Sequence, residues 1–114
     1  MDWIITIPKT ISWEDYVKEL DAVKDFNQEM NYKLPFKPKE LIAGDRCFVT
    51  WNGKVRGWMF ITKVSRKDAF TCSTTGKEWP AGWYISRSGP FTYVEATDFL
   101  GFRGIRKYEK GSEL

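Results

Sequence analysis

The feature that most constrains the fold is an Asn-Gly pair between two β-type segments. Residues 46–51, RCFVTW, are rich in β-branched and aromatic side chains and are followed by Asn52-Gly53. Asn-Gly is the strongest short-range signal for a two-residue hairpin turn, because both positions need a positive φ. Residues 54–64, KVRGWMFITKV, return as the partner strand, and Gly57 within them indicates a bulge or a close backbone approach. The sequence therefore predicts an antiparallel β-hairpin.

Other segments have the length and composition of short strands. They are residues 3–7, 69–74, 83–88 with its continuation or corner at 91–94, and 102–108. With the hairpin they make five or six strands separated by turn signals, a pattern typical of a small closed or half-closed β-barrel. The connections are expected to be a helical turn at 37–44, a polar turn at 65–68 and a short helical turn or loop at 96–100. Residues 26–36 are either a packed connector or a pocket cover, and residues 109–114 are a frayed tail.

A helix is predicted directly after the first strand. Ser12 is placed to cap its amides, and Asp15 stands at the capping-box position. The apolar residues that recur at helical spacing are Trp13, Val17 and Leu20, with Tyr16 and Val23 beside them, and we expect this stripe to face the core. The predicted fold is therefore α+β, a small mixed β-barrel with helices inserted after the first strand, in a single domain of 114 residues.

Charge and aromatic content differ from those of an average domain. Residues 1–42 carry six Lys or Arg against eight Asp or Glu, whereas residues 43–114 carry twelve against seven. The second part is therefore the candidate anion-facing surface, unless the charges only form a mixed solvated surface. Six tryptophans and an aromatic share of 17% provide rings that fill a core or stack on bases.

Several classes of chemistry are excluded by composition. The chain has no histidine, which removes Ser-His-Asp and Cys-His catalysis and the commonest metal ligand, and neither phosphate-loop glycine motif occurs. We therefore expect no metal and no cofactor. Lysine and carboxylate chemistry remains open, since Lys9 and Thr10 at the end of the first strand, with Glu78, have the residue types of a hydrolytic set.

The two cysteines, Cys47 and Cys72, are separated by 25 positions and form no CxxC motif. They are predicted to be reduced, buried thiols rather than a disulfide, as in a cytoplasmic protein. The first residues, MDWIITIPKT, lack the features of a signal peptide, and no apolar stretch approaches the length of a membrane span. A cytoplasmic location is the expectation.

Aromatic and basic residues alternate in the second part of the chain. Five rings and four cations are the candidates to share one mouth of a small barrel: Trp51, Trp58, Trp79, Trp83 and Tyr84, with Arg46, Arg56, Lys77 and Arg87. The rings offer faces for a base, and the guanidinium groups offer hydrogen-bond forks for a phosphate or a base edge. The opposing interpretation is that each tryptophan is a core residue.

Arg87 lies in the segment GWYISRSGPF, at 82–91. By strand alternation it shares a face with Trp83 and Ile85, whereas Ser86 and Ser88 point the other way. A charge on an apolar face requires a partner or a ligand. The alternative is that the strand twists at Gly89 and Arg87 turns into solvent.

Several segments resemble the PUA-like superfamily, especially its EVE and ASCH branches. The resemblance rests on SWED at 12–15, on GDR at 44–46 before the hairpin and on the late segments GWYISRSGPF and GFRGIRKY, and covers nearly the whole chain. It implies a pseudobarrel of five or six strands with packed helices. Members bind RNA, or DNA with a modified cytosine flipped into an aromatic pocket. Some ASCH members hydrolyse a modified nucleoside with a Lys-Thr-Glu set; Lys9-Thr10 lacks the neighbouring Gly and Arg of their motif.

The function predicted from these features is a non-catalytic nucleic-acid-binding module that holds an unstacked, possibly modified base. RNA and DNA are both candidate partners, and a protein partner stays possible. The expected base-binding residues are Trp51, Trp58, Trp79, Trp83, Tyr84, Ser86, Arg87 and Ser88. The expected phosphate-binding residues are Arg46, Lys54, Arg56, Lys77, Arg103, Arg106 and Lys107. The alternatives are an amidohydrolase acting on a modified nucleoside and a protein-binding adaptor or inhibitor.

Overall fold

The described part of the chain contains one helix and nine strands. The structure, a computed structural model, describes residues 1–72, 76–99 and 104–109. In chain order the elements are β1 (Asp2–Ile7), α1 (Trp13–Val23), β2 (Met30–Lys33), β3 (Arg46–Trp51), β4 (Lys54–Lys67), β5 (Phe70–Thr71), β6 (Glu78–Trp79), β7 (Gly82–Arg87), β8 (Thr92–Asp98) and β9 (Ile105–Lys107). Arg103, one of the predicted phosphate-binding residues, lies outside the described residues. Residues 110–114 of the predicted frayed tail also lie outside them.

Seven of the strands form one mixed sheet. Its hydrogen-bonded order is β2-β7-β4-β3-β1-β9, with β8 paired to β4, while β5 and β6 form a separate two-stranded sheet. Among the described residues β2 and β9 end this path without pairing to each other, so the sheet is open. The α+β class is confirmed, and the sheet has more strands than the five or six predicted.

The β3–β4 hairpin is as predicted. Asn52 and Gly53 have φ values of 52° and 73°, which is the geometry of a type I′ turn. The register shifts between Val49, which pairs with Gly57, and Thr50, which pairs with Val55. One extra β4 residue is therefore bulged out at position 56, and the twist of β4 increases there.

β4 is the strand on which the sheet is built. Its 14 residues pair with β3 and β8 in the first half, and with β7 from Ile61 to Lys67. β7 and β8, consecutive in the chain, thus run one after the other along β4, with the Gly89-Pro90 break between them. Of the two alternatives for the segment after Pro90, a continuation of the strand or a corner, the structure shows the continuation.

β1 is central and buried on both faces. It pairs in parallel with β3 and antiparallel with β9. Trp3, Ile5 and Ile7 pack into the larger core cluster, and Ile4 packs into a second one with Phe48. The run of β-branched residues in β1 is explained by this burial on both faces.

α1 begins at the predicted cap, where the Ser12 hydroxyl accepts a hydrogen bond from the Asp15 amide at 3.1 Å. Its buried residues are Tyr16, Leu20 and Val23. The predicted stripe is therefore rotated, because Trp13 lies at its edge and Val17 is only half-buried. Within the described residues, no helix combines the length and apolarity needed to cross a bilayer.

Four segments have a different secondary structure from the one expected locally. Residues 26–36 contain strand β2, residues 65–67 extend β4, residues 96–98 belong to β8, and residues 37–44 form bends and a turn instead of a helical turn. The first three segments are β because of partners distant in sequence, such as β7 for β2 and β4 for β8. Local composition does not carry that information. Cys47 and Cys72 are both free and buried, as predicted.

Asp45 is a buried carboxylate that ties β1 to the turn before β3. It accepts hydrogen bonds from the Trp3 indole at 2.9 Å, the Ile42 amide at 3.2 Å and the Met1 ammonium at 3.0 Å. Burial by itself would raise the pKa of Asp45, but these three donors outweigh it and hold the pKa below 3.8.

The Asp45→Asn variant is expected to be less stable than the wild type at pH 7, by about 1–3 kcal/mol for a buried charged acceptor. Because the folded pKa is depressed, this stabilisation is present above pH 3.8 and is lost as the pH falls through the folded value. Melting temperatures measured from pH 7 to pH 2 should therefore converge in acid. Asp98→Asn is the control, since that carboxylate is 87% exposed in its pair with Lys54. If the difference in melting temperature between Asp45→Asn and the wild type stays constant from pH 7 to pH 2, this explanation is contradicted.

Gly57→Ala tests the close approach of β8 to β4. A Cβ at this position would lie 2.3 Å from the Thr92 carbonyl oxygen and 2.4 Å from the Phe91 ring. The expected loss is about 2 kcal/mol or more, as for other overpacked buried sites, measured as a lower urea midpoint. Gly104→Ala is the control, because it has open space and only the cost of a positive φ. Equal losses in the two variants would show that crowding at Gly57 is unimportant.

Candidate functional site

A cavity of about 340 Å³ lies at the open edge of the sheet, along the unpaired side of β2. All four β2 residues line it, together with residues from the end of β1, the first turns of α1 and the segment between β5 and β6. The lining residues are Ile7, Pro8, Ile11, Tyr16, Glu19, Met30, Asn31, Tyr32, Lys33, Cys72, Lys77, Trp79 and Arg87. The wall is mostly apolar and aromatic.

Arg87 is the buried charge of this cavity. Its side chain is only 2% exposed, and its Nη1 donates a hydrogen bond to the Tyr16 hydroxyl at 2.8 Å. Its Nε has no hydrogen-bond partner. Within the described ranges, no carboxylate lies within 4.0 Å of the guanidinium. The alternative that Arg87 turns into solvent at Gly89 is therefore wrong.

The backbone holds Arg87 in this position from both sides. Arg87 pairs with Met30 of β2 and with Ile61 of β4, and both are core residues. Directly after it, the Gly89 amide donates to the Val23 carbonyl at the end of α1, at 2.8 Å. Gly89 has a φ of 94°, and a Cβ there would lie 2.5 Å from the Phe26 ring. The strand end therefore cannot twist outwards.

The groups facing Arg87 are neutral. Burial raises the pKa of the Tyr16 hydroxyl, and burial raises the pKa of the Cys47 thiol to about 11, although the nearby guanidinium opposes both shifts. Burial alone would lower the pKa of Arg87, but Tyr16, Cys47 and Tyr32, which ionise only at the high pH where Arg87 itself titrates, more than offset it, so the pKa is raised and Arg87 keeps its charge at pH 7. An ionised group buried without a counter-ion costs several kcal/mol or more. An anionic or acceptor-rich ligand would recover part of this cost.

Other donors line the same cavity. The Trp79 indole nitrogen is buried without a hydrogen-bond partner. Asn31 accepts a hydrogen bond from the Ser86 hydroxyl through its Oδ1 at 2.9 Å, which leaves its amide nitrogen as a donor. Trp79 also packs edge-on against Tyr84, at a centroid distance of 5.9 Å. The cavity therefore combines donor groups with a rigid aromatic wall.

Of the sequence-predicted site residues, the cavity brings together Trp79, Arg87 and Lys77, and it has Tyr84 and Ser86 immediately behind its lining. Ser88 is placed elsewhere, since its hydroxyl donates to the backbone carbonyls of Val23 and Gln28.

The remaining tryptophans lie in three other places. Trp51 donates to the Ile11 carbonyl at 2.8 Å and stacks with the Arg56 guanidinium. Trp58 packs against Phe48 in the second core cluster. Trp83 lies under the Lys37 ammonium, 5.8 Å from its ring centre. The predicted rings therefore do not share one mouth.

The predicted phosphate-binding residues are also dispersed. Three of them form ion pairs: Arg46 with Asp2, Lys54 with Asp98, and Lys107 with Glu40. Arg56 lies over Trp13 and Trp51, and Arg106 lies over Phe99. Among the residues of that set which the structure describes, only Lys77 lines the cavity.

The residues proposed for hydrolysis show no catalytic arrangement. Lys9, Thr10 and Glu78 are exposed, and none of them lines the Arg87 cavity. No hydrogen bond or ion pair joins them within the described part of the chain.

Sequence reasoning missed Tyr16, Asn31 and Tyr32 as site residues. Tyr16 belongs to the helical stripe, whose spacing indicates core packing. Asn31 and Tyr32 lie in the segment 26–36, where three aromatics and three amides were the available signal for a pocket cover. Their placement depends on the pairing of β2 with β7.

Comparison with protein-family models, with curated proteins and with solved structures gives no match for this chain.

Arg87→Met tests whether the buried charge serves the fold. Because the guanidinium is buried without an acid, its replacement by an apolar side chain of similar length should leave the stability unchanged or raise it, by up to about 1 kcal/mol. Urea unfolding at pH 7 is the measurement. Ile85→Ala, two residues earlier on the same face, is the control and should lose about 2–5 kcal/mol. A comparable loss in Arg87→Met would show that Arg87 is a structural residue.

Proposed function

We propose that this chain is a cytoplasmic, non-catalytic nucleic-acid-binding module that holds one unstacked base in the Arg87 cavity. The observation that carries the proposal is a buried arginine without a nearby carboxylate, in the wall of an apolar and aromatic cavity. Buried charges of this kind are characteristic of ligand sites, where a ligand supplies the missing partner.

The size of the cavity favours a single ring system. Ligand pockets commonly measure roughly 300–1,000 Å³, and this one, at about 340 Å³, is at the small end. A base that enters it must leave its stack, as bases do when they are bound by aromatic side chains of single-strand-binding proteins. Trp79 and Tyr32 provide the rings, and Arg87 reaches the polar edge of the base.

The mouth of the cavity suits a phosphate backbone. Lys33 and Lys77 line it and are exposed, and together with Arg87 they outnumber the one acidic lining residue, Glu19. Lysine side chains at such a position contact phosphate oxygens without reading sequence. The proposed module therefore takes the base inside and keeps the backbone outside.

We also propose that the open sheet is a variant of the PUA-like barrel. The order of elements supports this assignment: a first strand, a helix capped by Ser12, and a hairpin that follows Gly44-Asp45. In this variant the gap beside β2 is where the ligand enters.

The test is a tryptophan fluorescence titration with mixed-sequence single-stranded RNA and DNA decamers at low salt. We expect quenching with a Kd below ~100 µM, the weak end of ordinary non-specific binding, and a shallow salt dependence because few phosphates are contacted. Arg87→Met should weaken binding about tenfold or more, as expected when a charged hydrogen-bonding group is lost.

Arg66→Met is the matched control for this titration. It removes the same charge from an exposed β4 position that does not line the cavity, so it should keep nearly the wild-type affinity. Equal losses in the two variants would mean that general positive charge, and not the cavity, binds the strand. No quenching by any decamer would contradict the proposal and favour the protein-binding alternative.

A further inference from the structure

The polar side chains available inside the Arg87 cavity are mainly hydrogen-bond donors. A guanidinium has five N–H groups and no acceptor. One of those of Arg87 is used on the Tyr16 hydroxyl, and its Nε remains without a partner. Because the Tyr16 oxygen already accepts from Arg87, its own proton is free to be donated to another group.

Two further residues of the cavity wall, Trp79 and Asn31, also carry hydrogen-bond donors. The indole of Trp79 can only donate, and its nitrogen is buried without a partner. Asn31 has both polarities in principle, but its Oδ1 is occupied by the Ser86 hydroxyl. Ser86 is fully buried, so this contact holds the Asn31 amide with its NH₂ group unused.

Acceptors are few on the same wall. Glu19 is the one carboxylate that lines the cavity, and it already takes part in an interaction within the chain. The hydroxyls of Tyr16 and Tyr32 can accept as well as donate, and the outer edge of β2, which has no partner strand in the described sheet, offers main-chain carbonyls. The wall therefore matches a ring with several acceptor atoms and few N–H groups.

From this polarity we infer that the cavity selects an oxo-substituted pyrimidine of the uracil type over the corresponding amino-substituted pyrimidine. The inference rests on the proposed function. Uracil presents two carbonyl oxygens to the donors and one N–H to a β2 carbonyl. Cytosine replaces one of these oxygens by an amino group, which would face the terminal N–H groups of Arg87 or the Asn31 amide donor to donor, and its ring N3 has no proton for the β2 carbonyl, so two of the hydrogen bonds made by uracil would be lost.

The first measurement compares U10 and C10 RNA, which have the same length and charge, by fluorescence titration of the full chain. We expect U10 to bind about tenfold tighter or more, the effect of one unsatisfied buried hydrogen-bonding group. Uridine and cytidine 5′-monophosphates form a second pair. If the monophosphates show the same preference for uridine as the decamers, the pyrimidine ring is the part of the ligand that is selected. A uridine monophosphate affinity equal to that of U10 would support the same selectivity with a free nucleotide as the ligand.

The second measurement changes the polarity of the wall while keeping its shape. Asn31→Asp replaces the amide donor by acceptors, so the U10 preference should disappear or reverse. Ser86→Ala removes the hydroxyl that fixes the amide, so the preference should weaken, because U10 binds less tightly, C10 binds more tightly, or both. Arg66→Met should keep both the affinity and the preference. Circular dichroism and melting curves establish that each variant is folded.

The outcomes separate this inference from the proposed function. Equal binding of U10 and C10, with both lost in Arg87→Met, overturns the uracil preference and leaves the base-binding function standing. A U10 preference that persists unchanged in Asn31→Asp also overturns the donor-based account. Absence of binding to either oligomer and either nucleotide overturns the inference together with the function.

Discussion

The pairing of one long strand with three others is the constraint on which the structure depends. β4 carries β3 along its first half, and β8 and then β7 along its length. The bulge near Gly57 brings β8 close, and the second half of β4 sets the position of β7. Because Arg87 is opposite Ile61, its side chain is directed into the larger core cluster. The location of the buried charge is thus a consequence of register.

The same register leaves a gap that the protein does not fill. β2 adds to the far side of β7, no further strand of the described chain pairs with it, and α1 contributes Tyr16 and Glu19 to the cavity wall. An apolar side chain of similar length in place of Arg87, such as Met, would cost less to bury. Natural proteins accept such local instability mostly where a function requires it. The combination of open edge and lone charge is therefore the most informative feature of the molecule.

Local sequence signals predicted the elements that depend on neighbouring residues. Asn52-Gly53 specified the hairpin, Ser12 the start of the helix, and strand alternation the inward direction of Arg87. The cavity was not predictable in the same way, because β2 is a strand only through β7, about 55 residues away. The dispersal of the tryptophans has a similar origin, since a one-residue bulge in β4 changes which side chains share a face.

The neutral neighbours of Arg87 determine how the charge inside the cavity responds to a change in pH. The thiol of Cys47 has a pKa of about 11, the hydroxyl of Tyr16 titrates above its ordinary value, and the chain has no histidine. Tyr16, Cys47 and Tyr32, the groups that act on the guanidinium in the described part of the chain, therefore keep their protons across the physiological range. The innermost part of the cavity therefore keeps a constant electrostatic character across that range.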